Sequence, residues 1–293
     1  MKNVIYFTVM VLLFVCISCS QETAVELAIP AKQKAVTFVC STLEQDVESM
    51  KSTAVTRATG DSNLKADGTS MSDLWVYDYV DGKLKQTIHQ TSSDVDFGKP
   101  TIKLDYGQHL IKLVASRGVH PTLSSSAISW EKASDTFVKE VELKVASGME
   151  SKYSVSLNRV TTRLTVKMTD AVPLETETLE LDLSTWYKDL SFMSLWGTTL
   201  SDAHYSVNIK SFVGKKNGIV SVYSLSPSSE VWNTTVSITV KDSAGKVISQ
   251  ISVPTVQMKV NRTTVLSGEL FGKSSQMVFS LNTQWIEDYA QIF

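Results

Sequence analysis

The sequence predicts an all-β protein built from sandwiches. Almost every segment that looks ordered is a short run in which apolar and polar residues alternate, rich in Val, Ile, Thr, Tyr and Leu. A period of two is the pattern of half-buried strands. Short turns containing Gly, Asp, Asn or Ser separate these runs, and no long amphipathic helix stands out. Together these observations favour packed β-sheets over helical layers.

The predicted strands follow one another along the whole mature chain, each supported by its own alternation. In chain order they are Ala35–Cys40, Asp73–Tyr79, Leu110–Ala115, Phe137–Val145, Leu164–Met168, Leu179–Leu183, Tyr205–Ile209, Val220–Leu225, Val236–Val240, Val247–Val253 and Met277–Leu281. Residues 234–254 hold two alternating runs around a short turn that contains Gly245. This arrangement is typical of a β-hairpin.

The first residues have the layout of a bacterial secretory signal that ends in a lipidation cysteine. Lys2 gives a basic start, residues 4–17 carry no charge, and Ser18 and Cys19 follow. The uncharged run is too short to cross a bilayer, which takes ~20 helical residues. We expect residues 1–18 to be a signal peptide and Cys19 to carry palmitate or a similar acyl chain. The alternative is an ordinary secretory signal in which Cys19 has no role.

The charge and the cysteines exclude several classes of protein. The net charge is −2 and no Lys/Arg cluster is present, so we expect no nucleic-acid partner. If Cys19 carries lipid, Cys40 is the only other cysteine of the mature chain and has no disulfide partner. Within the apolar run around it, Cys40 is typical of a small buried strand residue rather than a redox or metal group.

Catalytic patterns are missing from the sequence. The four histidines (His89, His109, His120 and His204) have no metal-ligand spacing, and we expect each at the surface or at a strand edge. No nucleotide or nucleophile motif is present. Pairs of carboxylates two residues apart, such as Glu140 and Glu142, fit the solvated face of a strand. We expect no catalytic residue, no metal site and no cofactor, and therefore a protein that is not an enzyme.

A polar stretch at residues 147–153 divides two strand-rich halves. Residues 157–159 then open a new strand, Thr161–Met168, which includes the alternating run Leu164–Met168, and we place a domain boundary near residue 158. The prediction is a lipidated segment at 19–57, an N-terminal sandwich at 58–158 and a C-terminal sandwich at 159–293. Residues 52–70 are small and polar, which is typical of an exposed, mobile loop. Arg57 in this loop is an accessible target for an Arg-specific protease; the alternative is a solvated arginine with no role.

The order of segments resembles the fimbrillin family, the type V pilins. After the lipidation cysteine come KAVTFVCS, TRATG, LWVYDYVDGKL and LDYGQHLIKLVASRG in the first half, and LNRVTTRLTVKM, VQMKVNRTTVLSGELF and FSLNTQWIEDYAQIF in the second. The resemblance covers essentially the whole mature chain. It implies two tandem transthyretin-like β-sandwich domains and a structural role as a fimbrial subunit. It also implies an outer-membrane lipoprotein exposed on the cell surface.

The resemblance also implies an assembly mechanism. An Arg-specific protease would cut between Arg57 and Ala58, and the strand Ala35–Ser41 would leave with the lipidated segment. The inward residues Val36, Phe38 and Cys40 would vacate a groove, which a strand from a neighbouring subunit would fill by β-strand addition.

The best donor strand in this chain is its C-terminal segment, 277–293. Its apolar residues are Met277, Phe279, Leu281, Trp285, Ile286, Tyr289 and Phe293. The alternative is that this segment completes its own sandwich. The expected partners are other pilin subunits in a homo- or heteropolymer, the outer membrane through the lipid, and a host or bacterial surface receptor. Whether the subunit forms the shaft, the tip or the anchor stays open at this point.

A surface lipoprotein that binds a glycan is the alternative function. Its stacking platforms would be the aromatic residues Trp75, Trp130, Trp186, Tyr187, Trp196 and Trp232. An exposed row of these rings would favour the binder. The competing interpretation is that they belong to the core, as most tryptophans in strand-rich proteins do.

Overall fold

The computed structural model describes residues 32–44, 56–57, 64–66, 69–272 and 277–281 of the chain. These residues lie mainly in strands, which confirms the all-β prediction. In chain order the strands are β1 (Gln33–Glu44), β2 (Thr56–Arg57), β3 (Lys65–Ala66), β4 (Thr69–Ser70), β5 (Asp73–Val80), β6 (Lys83–Thr91), β7 (Thr101–Asp105), β8 (Gly107–Ser116), β9 (Val119–Leu123), β10 (Ala127–Lys132), β11 (Thr136–Val145), β12 (Lys152–Arg159), β13 (Thr161–Met168), β14 (Thr176–Ser191), β15 (Gly197–Asn208), β16 (Gly218–Leu225), β17 (Trp232–Asp242), β18 (Val247–Met258), β19 (Thr263–Gly268) and β20 (Met277–Leu281). A 3-10 helix, Lys210–Phe212, precedes β16.

The first half forms one curled sheet in the order β6-β5-β8-β11-β12-β1-β7, with β2 paired to β12. Its inward side chains share a single core, to which β5, β8 and β11 contribute on one side and β12, β1 and β7 on the other. The sheet therefore folds over itself as the two layers of a sandwich. We call this body the first sandwich.

The second half packs two sheets face to face. One has the order β18-β17-β14-β10-β9, with β15 along the other edge of β14, and the other has the order β16-β13-β19-β20. Alternating apolar residues of both sheets, such as Leu164, Leu181 and Ile238, form the second core. We call this body the second sandwich. Strand β13 begins and ends where the sequence predicts a new strand, and the predicted hairpin is β17–β18.

A third core covers the outer face of β5, β8 and β11. Trp75, Tyr77 and Val114 from that face pack with Trp130 of β10 and with Phe192, which follows β14. This layer is therefore buried on both faces. The prediction that β5 is half-buried is wrong for this reason: Leu74 to Asp78 are all buried. The sequence shows the alternation of the strand but not the layer that covers its polar-looking face.

The described residues from Gln33 onward belong to one compact unit. Strand β12 ends at Arg159 and β13 begins at Thr161, so the chain passes from the first to the second sandwich near the predicted boundary at residue 158. That boundary stays a prediction. Within the described ranges, no helix is long and apolar enough to span a membrane.

Candidate functional site

Strand β1 lies in the interior of the first sheet, although it comes from the N-terminal end of the described chain. It pairs in parallel with β12 and antiparallel with β7. Val36, Phe38 and Cys40 have no exposed surface and belong to the first core, as their alternation predicts. Displacement of this strand stays a prediction. Val39, on the opposite face, is also fully buried. The central place of β1 means that its removal would open two strand edges and the core between them.

A bulge interrupts the pairing of β1 with β12. Cys40 lies opposite Val155, but the register shifts before Thr42, so that Leu43 faces Leu157. Leu43 packs against the same core as Val36, Phe38 and Cys40. A β-bulge adds one residue to a strand and therefore changes which residues point inward beyond it. The groove occupied by β1 thus takes apolar side chains at relative positions 1, 3, 5 and 8.

The attachments of β1 are mostly backbone hydrogen bonds. The Phe38 amide donates to the Pro100 carbonyl at 3.0 Å and the Cys40 amide to the Gly98 carbonyl at 3.0 Å. Among the side chains of β1 that the structure describes, the links lie near the surface: the Thr37 hydroxyl is 2.8 Å from that of Thr101, and Lys34 donates to a backbone carbonyl. Backbone ladders and apolar side chains are the interactions on which β-strand addition depends.

Cys40 confirms the prediction of a small buried strand residue. Desolvation by burial raises the pKa of its thiol from 9.0 to about 12. The thiol is therefore protonated and unreactive at neutral pH while β1 is in place, because the thiolate is the nucleophilic form.

The segment after β1 is anchored to the first sandwich at two points. Thr56 and Arg57 pair with Ser154 and Tyr153 of β12, and Leu64 is buried in the first core. The prediction of an exposed loop is wrong at Leu64, the one large apolar side chain of that stretch. Cleavage after Arg57 stays a prediction, and Ala58 lies outside the described residues.

The remaining predicted residues fall at the two chain ends. The backbone of Met277, Phe279 and Leu281 lies in β20, which pairs antiparallel with β19 of its own sandwich. This is the alternative that the sequence left open, and use of the same segment as a donor stays a prediction. Cys19 and the predicted donor residues at the end of the chain, Trp285, Ile286, Tyr289 and Phe293, lie outside the described residues.

Two buried polar clusters escaped the sequence analysis. Where the sandwiches meet, Asp135 accepts hydrogen bonds from Arg159 Nε at 2.8 Å, Arg117 Nη2 at 3.0 Å and Thr161 Oγ1 at 3.0 Å. Both Asp135 and Arg159 are fully buried at their side chains. Buried charges of this kind are paired because an unpaired one is costly. The only signal in the sequence is an arginine placed among apolar strand residues.

The second cluster contains His109. Its Nδ1 is 2.6 Å from Asp78 Oδ1, and both side chains are almost completely buried. The prediction of a surface or strand-edge position is therefore wrong for His109. The other three histidines are exposed, and each lies near a carboxylate: His89 is 2.7 Å from Asp73, His204 is 2.8 Å from Asp182 and His120 is 3.9 Å from Glu131. Nothing in the spacing of Asp78 and His109 along the chain indicates that they meet.

The aromatic residues do not form an exposed row. Trp75, Trp130 and Trp186 are buried, and Trp196 and Trp232 are half-buried. Trp186 packs edge-on against Tyr205 and Trp232. A hollow of about 370 Å³ on the second sandwich is lined instead by polar residues such as Asp182 and His204. Among the described residues, no three His, Cys, Asp or Glu side chains cluster as metal ligands would. The burial of the tryptophans favours the interpretation that they belong to the core over the interpretation that they are stacking platforms for a ligand.

Comparison with known proteins gives similarity to solved structures. No family model matches the sequence, and no curated protein does. The fimbrial anchor protein Mfa2 from Porphyromonas gingivalis is 15% identical, with 86% of this chain and 98% of that chain covered at a TM-score of 0.49. A candidate adhesin from Bacteroides ovatus is 12% identical, with 77% and 79% covered at 0.49. The tip fimbrial protein Mfa3 from P. gingivalis is 11% identical, with 86% and 100% covered at 0.46.

Proposed function

We propose that this chain is a structural subunit of a cell-surface fimbria that assembles by exchange of β1 for a strand of a neighbouring subunit. The observation that carries the proposal is the position of β1. It is an N-terminal strand, yet it lies between β12 and β7 with Val36, Phe38 and Cys40 in the core. Strands of this kind are replaceable because backbone ladders and apolar contacts carry little sequence information.

In this proposal the chain reaches the outer membrane as a lipoprotein acylated at Cys19. A protease cuts after Arg57, and the lipidated segment with β1 leaves. Burying each large apolar side chain contributes ~1.5–3 kcal/mol, so a donor that fills the vacated sites binds tightly. The subunit has no catalytic role, and its partners are other subunits of the fibre. A subunit that keeps β1 would instead end the fibre at the membrane.

The C-terminal segment matches three of the four apolar sites of the vacated groove by its spacing, and in the same register the fourth site, that of Leu43, receives Gln284. Met277, Phe279 and Leu281 repeat the alternation of Val36, Phe38 and Cys40, with phenylalanine at the centre in both. A register that places Phe279 at the site of Phe38 follows from this match. Donation requires β20 to leave β19. The donor then loses its backbone hydrogen bonds to β19, forms new ones with the strands on either side of the groove, and gains the apolar contacts of the groove.

The test uses the chain beginning at Ser20 and a trace of Arg-specific protease. We expect one early cut after Arg57, detected by intact mass, followed by loss of the fragment ending at Arg57 and by ladders of associated subunits on native gels. The matched control is Arg57→Lys, which keeps the charge but removes the cleavage site. Addition of a synthetic peptide of residues 277–293 should block the ladders, whereas the same peptide with Phe279→Asp should not.

The outcomes separate the parts of the proposal. Cleavage without release of the fragment, or release without association, would contradict exchange as the assembly mechanism. Identical ladders from the Arg57→Lys variant would show that association does not depend on this cut.

A further inference from the structure

Strand β7 depends on β1 for its backbone ladder. In the part of the chain that the structure describes, β7 is the last strand of the first sheet and β1 is its only strand neighbour. If β1 leaves, β7 loses all of these backbone pairings. A strand without a ladder exposes unpaired donors and acceptors, so it stays in place only when other groups hold it. If β7 is to remain as one wall of the groove after β1 leaves, a second attachment must therefore hold it in place.

The outer edge of β7 has such an attachment, made by side chains. Carbonyls alternate in direction along a strand, and the Gly98 and Pro100 carbonyls leading into β7 accept from β1. The odd-numbered carbonyls therefore face the opposite way. Gln86 Nε2 of β6 donates to the Lys103 carbonyl at 2.6 Å, and His109 Nε2 of β8 donates to the Asp105 carbonyl at 2.8 Å.

Asp78 of β5 holds both of these donors. Its Oδ1 is 2.6 Å from His109 Nδ1, and its Oδ2 accepts from Gln86 Nε2 at 3.2 Å. A carbonyl only accepts, so His109 Nε2 carries a hydrogen, and a second proton lies between Nδ1 and the carboxylate. The pair thus has no net charge, which suits a site where the two side chains are 1–2% exposed.

We infer that Asp78, Gln86 and His109 form a clamp that keeps β7 in place as a wall of the groove when β1 is absent. The clamp ties β7 to three strands of the opposite part of the sheet without using its inner edge, which remains free for an incoming strand. This role rests on the proposed function, because only exchange of β1 makes an independent hold on β7 useful. It adds positioning residues for assembly that contact neither β1 nor its replacement.

The test measures the opening of β1 and β7 separately in the intact chain beginning at Ser20. This chain contains a single cysteine, Cys40, so thiol labelling reports opening of β1. Cutting after Lys103 by a lysine-specific protease, followed by mass, reports departure of β7. Both rates, of labelling and of cutting, are measured at urea concentrations below the unfolding transition. Each rate is then divided by the rate of the same reaction in the unfolded chain. We expect β1 to open at least roughly tenfold more often than β7, since departure of β7 must also break the hydrogen bonds that Gln86 and His109 donate to it.

Substitutions in the clamp should remove this difference. In His109→Leu, and in Gln86→Leu if the first variant does not fold, the two rates should coincide. In Asp78→Asn the gap should persist, because an amide can donate to Nδ1 of a neutral histidine that still donates to Asp105. The matched control is His204→Leu, which removes an exposed His–Asp pair of the second sandwich.

Two results would overturn the inference. One is a wild-type chain in which cutting after Lys103 keeps pace with labelling of Cys40, which means that β7 leaves with β1. The other is a persistent gap in both His109→Leu and Gln86→Leu. Neither measurement involves a second subunit, so failure of the clamp and failure of fimbrial assembly are distinguishable.

Discussion

Strands β1 and β13 occupy equivalent places in the two sandwiches. Each is an interior strand with one parallel and one antiparallel neighbour: β12 and β7 for β1, β19 and β16 for β13. Each places apolar residues in the core of its own sandwich. The ladder geometry therefore does not distinguish β1, whose exchange we propose, from β13.

The difference lies in the polar side chains. Thr161 and Arg163 of β13 are buried and bind partners outside the backbone ladder: Thr161 donates to Asp135 at 3.0 Å and Arg163 to the Thr263 hydroxyl at 3.1 Å. The side-chain contacts of β1, such as Thr37 with Thr101, lie near the surface. Buried polar contacts are specific to their partners, whereas a ladder is generic. A strand becomes replaceable when generic interactions hold it.

The largest expected effect comes from removing the buried acceptor beside β13. Asp135→Ala leaves Arg159 buried without its carboxylate, which should lower the free energy of unfolding by about 3–5 kcal/mol. Urea unfolding measures this loss. Asp182→Ala is the matched control, because that carboxylate is 57% exposed and pairs with His204, and it should change stability by less than ~0.5 kcal/mol. Equal effects of the two substitutions would remove the basis for calling β13 fixed.

A second pair of substitutions tests whether the strands open independently. Phe38→Ala and Leu164→Ala each delete a fully buried side chain, and each should cost about 2–5 kcal/mol of packing. For Phe38→Ala we expect the cost to appear as local opening, so that Cys40 is labelled at urea concentrations far below global unfolding. For Leu164→Ala, labelling of Cys40 should follow global unfolding. If both variants label Cys40 only on global unfolding, β1 is as fixed as β13.

The sequence predicts the strands well because alternation is local. The bounds of β13 and the hairpin of β17 and β18 follow from patterns within about twenty residues, and the inward residues of β1 follow from the same rule. The bulge after Cys40 does not, because it depends on the register with β12. Neither does the burial of Asp78, which results from the third core and from His109.

The polar clusters are the part of the structure that sequence reasoning cannot supply. Asp78 and His109 are 31 positions apart, and Asp135 and Arg159 are 24 apart. Each looks like an ordinary charged or polar residue of a strand or turn. Their partners are set by tertiary packing, and a single sequence shows no sign of it. The inward residues of β1 could thus be predicted, but not the buried polar pairs around it.

The smallest expected effect concerns pH and compares an acid of β1 with one of the second sandwich. The Cys40 thiol has its pKa raised by burial from 9.0 to about 12, and the Tyr205 hydroxyl has its pKa raised by burial from 10.0 to about 12. A raised acid pKa favours the protonated form in the folded state. Its contribution to stability is complete below the unfolded pKa and is lost as pH rises towards the folded one.

The free energy of unfolding should therefore begin to fall near pH 9 because of Cys40. In Cys40→Ala the decline should begin only near pH 10, where the tyrosines start to contribute. In Tyr205→Phe the onset should stay near pH 9 and the slope above pH 10 should be smaller. Urea unfolding at half-unit steps of pH measures all three curves. An onset near pH 10 in the wild type would mean that Cys40 is already in contact with water in the folded chain, and hence that β1 is open rather than merely able to open.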